Sequence, residues 1–189
     1  MNSSPTNRSP IHPSPINPSR DRALNLVAAF GLVLGAVFGM AGTVVAQANL
    51  RSSFWAIDGA GLVMATALLT VKFFRKGRDV VAAGFLVFAI GEAVMLSGTA
   101  ASLLESVPSF GAGTALWATA LLLISVPPTL ALWIRLIGLL AAILFAITAA
   151  RIFAGQLVLP TSSPLPFFAY PLLVLTFIGW IWTLLQEAS

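Results

Sequence analysis

Glu92 is the residue around which chemistry could be built in this chain. It stands inside an apolar run, twelve residues after Val80 and eleven before Leu103. An ionised carboxylate at such a depth in hydrocarbon costs roughly 3 kcal/mol or more. The side chain should therefore face a bundle interior or a water-filled cavity, and the neutral, proton-holding form is favoured. Phe88, Met95, Leu96 and Thr99 share its helical face, because residues three, four or seven apart lie together on a helix. A carboxyl between aromatic, thioether and hydroxyl groups suits a proton- or cation-binding site, with Glu92 and Thr99 as its candidates. The simpler alternative is a structural hydrogen bond from protonated Glu92 to a neighbouring helix, with Thr66, Thr70, Thr119 and Thr148 as acceptors.

A second group of polar residues falls at the edges of the apolar runs. Gln47, Arg51, Asp58, Glu105 and Arg151 could line an outward-facing vestibule, or pair as ions that anchor helix ends at the interface. Arg135, about five residues into its run, could reach the headgroups along its own aliphatic stem.

Other chemistries lack their residues. Cysteine is absent, and the single histidine, His12, lies far from every apolar run. Thiolate catalysis, bis-histidine haem ligation and histidine acid–base catalysis are thereby excluded. Acids do not recur at ligand spacing within one run, so neither a metal site nor a cofactor is expected. A phosphate-binding loop after a strand, or a serine beside a base, is also missing. The chain does not read as an enzyme.

The elements that must position Glu92 are membrane spans. Of 189 residues, 58% are hydrophobic and only 8% charged, against about 25% charged in a soluble domain. Six runs, 23–48, 54–74, 80–103, 109–126, 130–153 and 165–185, approach or exceed the ~20 residues that cross a bilayer as helix. Helix is required there, since lipid offers backbone N–H and C=O groups no partner. Arg51-Ser52-Ser53, Arg75–Asp79, Pro108, Pro127-Pro128 and Pro160–Pro166 punctuate the runs. The fold class expected is an all-α integral membrane protein, a six-helix transmembrane domain over 21–189. Residues 1–20 hold five prolines and five serines. They should form a disordered tail, since proline fixes φ and removes a donor.

Arg8, Arg20, Arg22, Lys72, Arg75, Lys76, Arg78 and Arg135 fall on one side of these spans, and Arg51 and Arg151 on the other. The positive-inside bias places both termini in the cytoplasm, with the plasma (cell inner) membrane as the location. Trp55, Phe167, Phe168 and Tyr170 would then form an outer aromatic belt, and Trp133, Trp180 and Trp182 an inner one. The net charge of +4 follows these flanks and is no nucleic-acid signal.

Gly31, Gly35 and Gly39 repeat every four residues on the first span, and Gly84, Gly91 and Gly98 every seven on the third. Such glycines let helices approach closely. They serve as packing seams within one bundle, or as a face for a homo-oligomer or membrane protein partner. Gly59-Ala60-Gly61 with Ala65–Leu69 echoes Gly111-Ala112-Gly113 with Ala118–Leu122, which hints at a repeated helical hairpin. Two functions follow as expectations: a small permease or ion-coupled carrier with Glu92 as its protonatable site, or an accessory membrane protein acting through helix–helix contact.

Overall fold

The structure, a computed structural model, describes residues 18–99 and 101–188. The described residues form six helices and no strand: α1 Pro18–Val44, α2 Ala48–Arg75, α3 Asp79–Ser97, α4 Val107–Ser125, α5 Leu132–Phe153 and α6 Ala169–Gln186. All six are long and apolar enough to cross a membrane. The proline-rich tail lies outside the described residues as far as position 17, while 18–20 already belong to α1.

Several boundaries differ from expectation, each for a local reason. Arg51-Ser52-Ser53 is not a break. Without proline or glycine it stays helical, and the turn from α1 to α2 falls at Val45–Gln47 instead. Arg51 itself closes that turn, donating from Nε to Val45 O (3.2 Å) and from Nη2 to Ala46 O (2.8 Å). The third helix ends at Ser97, short of Leu103, and α6 starts at Ala169, after a connection that contains the prolines. Two helices end on a left-handed glycine, Gly77 at φ 65° after α2 and Gly155 at φ 82° after α5. In both, the next N–H reaches back to satisfy a terminal carbonyl, Arg78 to Phe73 and Gln156 to Arg151, as in a Schellman motif.

Each helix packs against its sequence neighbours, and α6 returns to α1, so the helices close a ring. The glycine seams lie inside it. A methyl added at Gly31 would sit 2.5 Å from Gly61 O of α2, and Gly35 faces Leu62. Gly84 and Gly91 press against α4 at Ile124 and Gly113, and Gly98 against Ser109. The two GAG segments therefore do the same work, Gly61 against α1 and Gly113 against α3. These seams are filled within one molecule.

Aromatic rings fill the ring's centre. Phe73 stacks on Phe85 (5.3 Å), Phe85 meets Trp180 edge-on (4.9 Å), and Phe88 stacks on Trp117 (5.2 Å). Phe177 and Phe145 extend this column, which reaches Tyr170. Trp180, expected in the inner belt, is a core residue instead, and Tyr170, expected in the outer one, is half-buried against that core, whereas Trp133 and Trp182 are exposed. The outer surface is apolar, with Phe30, Phe74, Leu136 and Ile143 exposed, as lipid contact requires.

One end of the ring, where Arg75–Asp79 and α6's last residues lie, is tied by polar contacts. Lys72, expected as a flanking charge that sets topology, is buried within α2. Its ammonium donates to Asn25 Oδ1 (2.6 Å) and pairs with Glu187 Oε2 (2.8 Å), which also binds Lys76 (2.8 Å). Asn25 Nδ2 in turn donates to Leu184 O (3.2 Å). This latch joins α1, α2 and α6. Burial alone would raise the Glu187 carboxyl. The hydrogen bonds and charges of Lys72 and Lys76 outweigh it and hold the group below its ordinary 4.5. Arg135 does not extend to headgroups: it donates to Ser125 O (2.8 Å) and Val126 O (2.7 Å), satisfying the end of α4.

Candidate functional site

The opposite end of the ring opens into a cavity of about 160 Å³. Every helix except α5 contributes to its lining, which runs from Arg51, Ser52 and Ser102 at the mouth to Asp58, Glu92 and Trp117 at depth. Glu92 lies on the face with Met95, Leu96 and Thr99, and all four border the cavity. The carboxyl stands five residues before the end of α3, about 7.5 Å along the helix axis. It is thus nearer the mouth than the centre of the span expected for it.

The structure adds a second acid. Asp58 does not sit near the end of its helix. Because α2 starts at Ala48, Asp58 is ten residues in, about 15 Å from the helix end. Asp58 is 9% exposed and Glu92 4%. Gly59, the next residue on α2, makes room for Glu92: a methyl there would lie 3.2 Å from Glu92 Oε1. Gly39 plays the matching part on α1, where a methyl would lie 3.0 Å from Asp58 Oδ2. Asp58 and Glu92 border the same cavity; two carboxylates sharing one buried site repel each other, and a shared proton or a bound cation relieves that repulsion.

Neither acid is fully satisfied. Asp58 Oδ1 and Glu92 Oε2 are buried without a hydrogen-bond partner, and so is the Trp117 indole N–H. That indole lines the same cavity as Glu92 without a hydrogen bond to it. The structure records no hydrogen bond between Glu92 and the hydroxyls of Thr66, Thr70, Thr119 or Thr148. Each donates to a carbonyl of its own helix, at Leu62, Thr66, Ala115 and Leu144.

The other candidates separate. Thr99 borders the cavity beyond the end of α3 and donates to Leu96 O (2.8 Å), so it does not join Glu92. Arg51 stands at the mouth, its guanidinium committed to the α1–α2 turn. Glu105 binds the Ser102 N–H and hydroxyl (3.1 and 2.8 Å) beside the mouth, bonds that hold its carboxyl below the ordinary range. Arg151 lies apart and donates to Gln156 Oε1 (2.7 Å). Acid–arginine pairing within this set is therefore absent, and the vestibule keeps only Arg51 and Asp58 of the four. Among the described residues no three acids or histidines gather to hold a metal ion.

Below Glu92 the cavity is shut by Phe88, Phe177 and Trp180, which touch one another (5.8, 6.1 and 5.4 Å). Beyond this aromatic floor lies a far smaller space of about 10 Å³ against Lys72, Trp180 and Glu187. One signal in the sequence could have exposed the second acid: Arg51, Asp58, Ala65 and Lys72 recur every seven residues, one face of an uninterrupted helix. No family model matches the chain, and no curated protein or solved structure gives a significant match.

Proposed function

We propose that this multi-pass membrane protein is a small carrier in which Glu92, together with Asp58, binds a proton or cation reached from one side of the membrane. One observation carries the reading. A cavity open at one end leads to two buried carboxyls with unpartnered oxygens, while aromatic rings and the Lys72–Glu187 latch close the other end. A site reachable from one side above a closed opposite end is what alternating access requires. The lysine and arginine bias orients it: the latch end faces the cytoplasm with both termini, and the cavity faces outward across the plasma membrane. The accessory reading has less support, because its Gly31–Gly39 seam is already filled by α2.

The test is flux in liposomes containing the purified protein and a pH-sensitive dye, under imposed proton and cation gradients. Wild-type protein should move protons or a cation. Glu92→Gln should abolish this while keeping helical content and elution volume, and Ser97→Ala, at an exposed position, should retain it. Joint loss of folding and flux in Glu92→Gln would assign the carboxyl a structural role.

A further inference from the structure

We infer that the cavity's ligand is a small organic monocation, with its ammonium group between Asp58 and Glu92 and its apolar body against aromatic rings. This rests on the carrier reading and adds the chemical class of the cargo. Three features of the lining converge on it.

The first is charge without a counter-ion. Asp58 and Glu92 border the cavity, more than nine-tenths buried, each with an oxygen that lacks a partner. The one cationic side chain on the lining, Arg51, stands two helical turns above Asp58, and its Nε and Nη2 are spent on backbone carbonyls. Lys72 is beyond the aromatic floor, paired with Glu187. The depth of the cavity therefore offers two carboxyls whose charge, once ionised, no described side chain neutralises.

The second is polarity of hydrogen bonding. Five hydroxyls around the cavity spend their protons on backbone carbonyls. Thr43 donates to Met40 O, Thr99 to Leu96 O, Ser106 to Leu103 O, Ser109 to Ser106 O and Tyr170 to Pro160 O. What they still offer is oxygen lone pairs. These hydroxyls join the two carboxyls as acceptors, while the Trp117 indole N–H is a buried donor without a partner on the same lining; the excess of acceptors at depth suits a cation.

The third is size and wall chemistry. A cavity of about 160 Å³ is far larger than a bare ion needs and close to the ~150 Å³ that accommodates a benzene ring. A divalent metal would want about six or more oxygen ligands, and the described acids here number two. Trp55, Trp117, Tyr170, Phe110 and Phe177 supply the walls. Aromatic faces attract ammonium and quaternary ammonium groups.

The test uses the full chain in mild detergent, titrated calorimetrically with choline, with its neutral carbon isostere 3,3-dimethylbutan-1-ol, and with sodium. Choline should bind saturably, and the isostere at least ten-fold more weakly. Asp58→Asn and Glu92→Gln should each weaken choline ten-fold or more. Trp117→Phe, which keeps a ring stacked on Phe88, should weaken it by a smaller factor and so guards against misfolding in the acid variants. Equal binding of the isostere would overturn the proposal in favour of a merely apolar cavity. Sodium binding to the same site as tightly as choline would overturn it in favour of an inorganic ion. If choline fails to bind while Glu92-dependent proton flux persists, the organic-cation assignment falls and the carrier reading stands. Choline binding by a protein that moves nothing supports the cation site and sinks the carrier.

Discussion

Replacing Gly31 by alanine sets two effects of opposite sign against each other. Alanine is the better helix former, by about 0.8–1 kcal/mol over glycine in a helix interior. Yet the new methyl would lie 2.5 Å from Gly61 O and 3.0 Å from Ala65 Cβ. Ordinary contact begins near 3.4 Å, so α1 and α2 must part by about 0.9 Å. The obstacle is backbone, which cannot rotate aside as a side chain can. A gap of 0.5–1 Å forfeits roughly a quarter to a half of each van der Waals contact along the seam, and overpacking of this kind costs roughly 1–3 kcal/mol. Packing should win, leaving Gly31→Ala less stable than wild type by up to about 2 kcal/mol. Gly31→Val should lose more, since its branches meet the same carbonyl. The assay is reversible unfolding in mixed micelles, read by helical circular dichroism against denaturing detergent. A Gly31→Ala protein as stable as wild type, or more so, would refute the close α1–α2 approach and with it the placement of Asp58 against Gly39.

The latch and the helix ends give further expectations. Glu187→Gln removes the counter-charge of buried Lys72 and should destabilise the protein by roughly 1–3 kcal/mol, within the range for hydrogen bonds to charged groups, as measured by the same unfolding assay. Because the Glu187 carboxyl is held below 4.5, its contribution is present above that pH and is lost as pH falls through the lowered value. The stability difference between wild type and Glu187→Gln should therefore shrink on acidification, and a difference independent of pH would contradict the pairing. Arg135→Met strips Ser125 O and Val126 O of their donor and should cost about 1–3 kcal/mol. Faster hydrogen exchange confined to the last turn of α4 would localise the effect, and unchanged exchange there would argue against the bond.

Much of this architecture was legible as pattern. Hydropathy located all six spans, since the bilayer imposes their length and their helical state. The glycine spacings marked the α1–α2 and α3–α4 seams, because a face without side chains invites a backbone. What pattern could not carry was the register between segments. Arg51-Ser52-Ser53 looked like a loop because it is polar, and this moved Asp58 to the membrane edge and out of sight of Glu92. Polar residues near a helix end cost little when they can turn to a mouth or, as Arg51 does, bind the preceding turn. Lys72 was read as a topology signal, because its partners Asn25 and Glu187 are remote in sequence and only ring closure between α1 and α6 brings them near. Trp180 was placed in a belt by position alone, whereas its ring is buried against Phe85.

A carrier of this kind requires Glu92 to face a space open to water from one side only. The chain contains no native cysteine, so single cysteines can be placed at positions 88, 92, 95 and 99 in sealed vesicles of known orientation and challenged with a membrane-impermeant thiol reagent. Cysteines at 92, 95 and 99 should label from the cavity side and not from the latch side. The cysteine at 88, under the stacked Trp117 ring, should resist labelling from both. Protection of position 92 from both sides would contradict the account.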